Sequence, residues 1–231
     1  MSFLRRLFGG SKPAASAAVP LDTTRSVVDL EAYEQAIEAL EEPTRRVYSG
    51  QAPFHYGVSI YFEDGGPDPL NGVSIFWNAS GPHWHYVSIG LARFGCGMEL
   101  TLRLEARADE IGTEPEKFLG SIAYQAPKWP ITVMNMLARR ILRTKRPFLA
   151  GEWWQGPPNA SPEFLVFSDD PELGHVSTAV GRVAYIQATV AVAETIEAMK
   201  RDELAARGDA ELDRLRKTNP LLVSARNLVR S

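Results

Sequence analysis

Between residues 82 and 105 the chain reads PHWHYVSIGLARFGCGMELTLRLE. In the second half of this stretch, Met98, Leu100, Leu102 and Leu104 alternate with Glu99, Thr101, Arg103 and Glu105. Successive side chains of a strand point to opposite faces, so the alternation predicts a strand with one face on a core and the other in water. Residues 83–91 are rich in aromatic and β-branched side chains and predict a second strand. Gly95 and Gly97, in the short connection of residues 92–97, supply a tight turn. The expected product is an antiparallel hairpin at the centre of a sheet.

Working outward toward the N-terminus, Leu30, Tyr33, Ile37 and Leu40 share one face at helical spacing. Asp29 or Ser26 can cap that helix, and Glu41-Glu42-Pro43 is expected to end it, because proline disfavours helix in the residue before it. Residues 54–62 alternate as a strand, residues 64–69 form a turn cluster, and residues 73–77 form another short strand. Toward the C-terminus, residues 106–128 carry no assignable pattern. A helix then starts at Trp129-Pro130, buries Ile131, Met134, Leu137, Ala138 and Ile141, and stops at Pro147. Residues 148–158, FLAGEWWQGPP, read as a loop carrying two tryptophans. Residues 164–167 predict a strand, and Asp169-Asp170-Pro171 a turn. Residues 182–199 predict a strand that becomes a helix near Ala193. Residues 200–217 fit a solvated helix interrupted near Gly208, and residues 218–231 can dock or extend as a strand. Strands and helices without regular βαβ alternation define an α+β class, a mixed, largely antiparallel sheet flanked by helices.

Composition narrows the function. The 231 residues carry a net charge of −3, without the basic excess expected of a nucleic-acid binder. Cys96 is the single cysteine, which excludes an intrachain disulfide and a zinc–thiolate cluster. No apolar run approaches the roughly 18 residues of a membrane helix. The basic N-terminus, MSFLRRLF, is not followed by an apolar signal stretch, so the expected compartment is the cytoplasm. Residues 1–22 are expected to be a flexible tail, although residues 1–10 can form an amphipathic turn that touches a membrane, and residues 23–231 to be one domain.

Several collinear motifs carry a family resemblance. PHWHYVSIGL followed by GCGMELTLRL resembles the paired HWHY-x-S-x-GL and GFG-x-ELT-x-RL-like segments of the suppressor-of-fused (SUFU) domain family. WPITVMNMLARRIL, FLAGEWW, SPEFLVFSDDPEL, GRVAYIQATVAVAETIEAM and TNPLLVSA are similar to later family segments in the same order. The resemblance implies a mixed α/β domain that is not an enzyme. It further implies a bacterial-type, single-domain member that binds another protein or an extended peptide, in the form of an immunity protein that neutralises a toxin domain. The connection between the two central strands is reduced to residues 92–94, which departs from the animal pattern.

The chemistry in the residues themselves is sparse. His83 and His85 project from one strand face, and with Glu99 across the hairpin they form the candidate metal set of an alternative reading, a metal-dependent hydrolase. The plainer expectation is that both imidazoles hydrogen-bond within the sheet, with no cofactor. Cys96 could act as a nucleophile only with a base nearby, and between two glycines of a hairpin it reads as a passive small residue; the cations Arg139, Arg140, Arg143, Lys145 and Arg146 crowd a helix end that favours them. Trp153 and Trp154 are the better binding candidates, because exposed tryptophan is costly and enriched in hot spots, the plainer expectation being that they cap the core from their loop. With Trp84, Tyr86, Arg93 and Phe94 they make up the candidate protein-binding set.

Overall fold

The structure, a computed structural model, describes residues 30–58, 60, 62, 66–78, 81–107, 110, 126–157, 160–204 and 210–228. In chain order it contains helix α1 (Leu30–Val47) and strands β1 (Phe54–Gly57), β2 (Gly72–Asn78), β3 (His83–Ile89) and β4 (Met98–Glu105). Helix α2 (Trp129–Thr144) follows, then β5 (Trp153–Gln155), β6 (Phe164–Asp169), β7 (His175–Thr178) and β8 (Gly181–Ala191). Helices α3 (Ala193–Leu204) and α4 (Ala210–Thr218) close the series. The strands form one sheet in the order β1-β2-β3-β4-β8-β6-β5, with β7 also paired to β8. Every pairing is antiparallel except that of β4 with β8. The α+β architecture and the central β3–β4 hairpin therefore stand as expected. Its connection is a single 3-10 turn (Ala92–Phe94) closed by Gly95 and Gly97, both at φ 64°.

Helices cover both faces. On one, Ile131, Met134, Leu137, Ala138 and Ile141 of α2 pack on Trp84, Tyr86, Leu100, Leu102 and Leu104. On the other, Tyr33, Ala36 and Leu40 of α1 pack on Ala92 and Val183, while α3 and α4 bury Ile196, Met199 and Leu212 against Val166. The β4 face expected to meet water is consequently buried: Glu99, Thr101 and Arg103 are at most 1% exposed, and only Glu105 reaches solvent. The alternation fixed which residues share a face, but the number of covered faces depends on helices far along the chain.

Three further elements differ from expectation. Helix α1 runs through Pro43 to Val47. Side chains bond to carbonyls around the proline: Tyr185 Oη donates to Leu40, Arg45 to Glu38, and Thr44 Oγ1 to Glu41. Strand β1 ends at Gly57, short of the expected residue 62, and part of the segment beyond it lies outside the described residues. Trp153 and Trp154 lie on β5, a sheet-edge strand, where a loop was expected. The expected strand-to-helix switch is present, β8 ending at Ala191 and α3 starting at Ala193. The C-terminal segment docks on β4. Ser224 forms a parallel bridge with Leu104, exchanging backbone bonds with Arg103 and Glu105 while its Oγ accepts from Val190 N of β8. The N-terminal tail, most of residues 108–125 and Gly208 lie outside the described residues.

Candidate functional site

The face of β3 and β4 that carries the histidines holds a buried polar cluster. Register places His85 opposite Arg103 and Thr101 beside Gln187 of β8. Asp170, in the turn after β6, is the hub. Its Oδ2 accepts from Thr101 Oγ1 and Arg103 Nη1, both at 2.8 Å, and its Oδ1 accepts from Arg103 Nη2 at 3.1 Å and from the backbone of Glu172 and Leu173. Arg103 also donates to Gln187 and, at 2.9 Å, to Glu172. Burial opposes ionisation of Asp170, but His85 and the Arg103 guanidinium outweigh it and hold the carboxyl far below its ordinary range. His85 Nδ1 lies 2.8 Å from Tyr48 Oη and its Nε2 lies 3.2 Å from Asp170 Oδ2. Burial pushes the His85 imidazole down to about 4, so it is neutral at pH 7 and accepts from Tyr48 through Nδ1. The His83 ring, lowered to about 4 by the same cause, bonds the carbonyl of Gly81. Both imidazoles thus hydrogen-bond within the fold, and the side chains of His85, Arg103 and Asp170 are fully buried.

The His83–His85–Glu99 set is not assembled. Glu99 lies four residues along β4 from Arg103, the partner of His85, which is roughly 13 Å at strand rise. Its carboxylate instead accepts from Ser88 Oγ, Gly90 N and Ala92 N, tying down the start of the β3–β4 connection. Burial raises this carboxyl to about 7. Among the described residues no group of three or more His, Cys, Asp or Glu can hold a metal ion. The metal-hydrolase reading is corrected on this geometry: two residues sharing a face does not bring a third, four positions along, into reach.

The candidate binding residues scatter. Trp84 and Tyr86 are core residues under α2, the indole donating to Glu110 and the phenol to the Pro127 carbonyl. Burial beneath the helix 129–144 removes both from any docking surface; the sequence pattern predicted that helix but not which face of the sheet it covers. Phe94 is buried edge-on to Phe62 and Arg93 is half-buried. Trp153 and Trp154 are half-buried on β5, with Lys200 Nζ 5.1 Å from the Trp153 ring centroid.

A surface that sequence reasoning missed lies at the opposite end of the sheet. Strand β1 is the terminal strand, and its last three residues are exposed. The bond from Val58 N to Asn71 O marks that pair as hydrogen-bonded, so by antiparallel alternation Tyr56 bonds inward. His55 and Gly57 therefore direct their N–H and C=O groups outward, and among the described residues nothing pairs with them. Beside this edge lies a cleft of about 230 Å³, lined by Tyr56, Val58, Ile60, Leu70, Ile131 and Asn135 among others. Tyr56 is 44% and Ile60 55% exposed. The aromatic alternation at residues 54–62 was the sequence signal, but which strand ends a sheet is a property of topology.

Fold and edge together define a three-layer α+β domain whose sheet ends in a strand left unpaired on its outer side among the described residues. Comparison with known proteins makes the assignment specific. The family described as Suppressor of fused protein (SUFU) matches residues 66–227, well over half of the chain, and the chain belongs to that family. The Suppressor of fused homologs of Homo sapiens and Mus musculus are each 28% identical over 179 residues, covering 65% of this chain and 34% of theirs. The chain thus spans about a third of the length of these curated relatives. The crystal structure of the Sufu–Fu complex is similar with a TM-score of 0.70 at 24% identity, covering 85% of this chain and 92% of that one. Drosophila Suppressor of Fused gives 0.71 at 24% identity, covering 85% of this chain and 51% of that one. These likenesses establish the shared fold. Among the described residues no helix is long and apolar enough to cross a membrane.

Proposed function

We propose that this chain is a non-enzymatic protein-binding module that takes an extended segment of its partner onto the outer edge of β1. One observation carries the reading: the outward-facing backbone groups of His55 and Gly57, flanked by exposed Tyr56 and Ile60 and an adjoining cleft. An uncovered strand edge is a template for main-chain pairing, and side-chain pockets beside it add specificity. That a related fold forms a Sufu–Fu complex also supports it. The specific form suggested by the family resemblance is an immunity protein whose partner is a toxin domain. Trp153 and Trp154 at the other sheet edge, and Arg93 and Phe94 at the hairpin turn, are further contact candidates.

Proline tests the edge directly. His55→Pro removes an outward N–H and the bond between the His55 ring and Ser74 Oγ while leaving the inward backbone bonds of β1 in place, and proline is tolerated on edge strands; His55→Ala, which loses the ring bond alone, is the control. The expected result is a protein that co-purifies in stoichiometric amounts with the wild-type chain and is lost with folded His55→Pro. A partner retained equally by the variant would remove β1 as the docking edge. Coexpression with a co-purified toxin, restoring growth only with wild-type chain, tests the immunity form.

A further inference from the structure

The cleft beside β1 continues into a row of cations along α2. Ile131 and Asn135 line the cleft, and Arg139 and Arg143 follow them at four-residue intervals, so all four fall on one ridge of the helix. Arg139 closes the cleft rim, its Nε donating to the carbonyl of Pro67 at 3.0 Å and its Nη2 pairing with Asp68. Arg140 lies over the Phe148 ring, 4.5 Å from its centroid, and Arg146 pairs with Glu152. Arg143 and Lys145 are exposed, and among the described residues neither has an ion-pair partner. Close by in sequence is Leu149, 58% exposed, the most exposed large hydrophobic residue described.

Charge is also segregated along the chain. Residues 117–151 hold seven of the 25 basic residues and none of the 28 acidic ones. The segment is therefore +7, and the rest of the molecule, −3 minus +7, is −10. A helix C-terminus favours cations in its last turn only, whereas this ridge begins at Arg139, before that turn. A long polyanion such as nucleic acid would meet the acidic remainder of the surface. A short acidic segment would not, since fields are screened within about 8 Å at physiological salt.

From this we infer that the segment captured on β1 is acidic, its carboxylates meeting Arg139, Arg143 and Lys145 while an apolar side chain enters the cleft. The inference rests on the β1 reading and adds the charge of the ligand to it. The partner class is a protein segment that pairs an apolar anchor with neighbouring Asp or Glu.

The test is selection from a phage-displayed random dodecapeptide library on the full chain, repeated with Arg143→Glu/Lys145→Glu, Arg143→Gln/Lys145→Gln and His55→Pro. The variants are checked for wild-type circular dichroism. The expected winners carry a clear excess of Asp and Glu beside an apolar residue, and they lose affinity as salt rises. They bind the charge-neutralised variant about tenfold more weakly, the scale of two surface ion pairs. They also fail on His55→Pro. Winners without an acidic excess, or indifferent to both charge variants, overturn the acidic ligand while leaving strand capture standing. Selection of no peptide overturns both. Binding of a DNA duplex or of phosphatidylserine vesicles that depends equally on Arg143 and Lys145 overturns the assignment to a protein segment.

Discussion

Replacing Asp170 with asparagine keeps the shape of the hub and removes its charge. The asparagine Oδ1 can still accept from Arg103 Nη2 and from the backbone N–H groups of Glu172 and Leu173. At the other position an NH₂ group would face three potential donors, Thr101 Oγ1, Arg103 Nη1 and His85 Nε2. Arg103, with its side chain fully buried, would keep Glu172 alone as a counter-charge among the described residues. Removing one member of a buried pair costs about 3–5 kcal/mol. The retained Glu172 contact and the three preserved acceptor bonds place Asp170→Asn at the low end, about 3 kcal/mol. Since 1 kcal/mol shifts Tm by about 2–4 °C in a chain of this size, the melt should fall by about 6–12 °C. The companion change Asp68→Asn breaks a surface pair with Arg139 and should cost under about 1 kcal/mol. Thermal denaturation by circular dichroism compares the two. An Asp170→Asn protein melting within about 2 °C of wild type would refute the view that this charge holds Arg103 in place.

Two other outcomes follow from the buried groups and one glycine. His83 and His85 are lowered from 6.5 to about 4 by burial, so the unfolded chain takes protons first. Their contribution is complete above pH 6.5 and is lost as pH falls toward 4, by up to about 3 kcal/mol each. Glu99, raised from 4.5 to about 7, works in the opposite sense: its contribution is complete below 4.5 and is lost as pH rises through 7. Glu99→Gln should therefore show a urea midpoint that climbs more steeply than wild type between pH 4.5 and 6.5; equal slopes would discard the assignment. Gly90 sits at φ 135°, and a Cβ there would lie 2.8 Å from Asn71 N. Gly90→Ala should cost at least about 1–3 kcal/mol in urea unfolding, whereas Gly81→Ala, with open space around its Cβ, should behave as wild type.

Local pattern decided a large part of this molecule. The period-two alternation at residues 98–105 identified a strand, and the glycines at 95 and 97 identified its hairpin. The helical spacing of Ile131, Met134, Leu137, Ala138 and Ile141 identified a buried stripe, because each signal lies within a few residues of chain. The motif series likewise pointed to the family that now accounts for residues 66–227. What alternation does not contain is the far side of the sheet. Whether Glu99, Thr101 and Arg103 meet water or a second layer depends on α1 and on the turn at Asp170, some 70 residues from Thr101 and Arg103. Only tertiary structure made the buried Arg103–Asp170–His85 cluster, hid Trp84 and Tyr86 beneath α2, and placed β1 at an end of the sheet. Those outcomes are set by long-range packing, in which each face must be either covered or solvated, and a window of neighbouring residues carries no record of which.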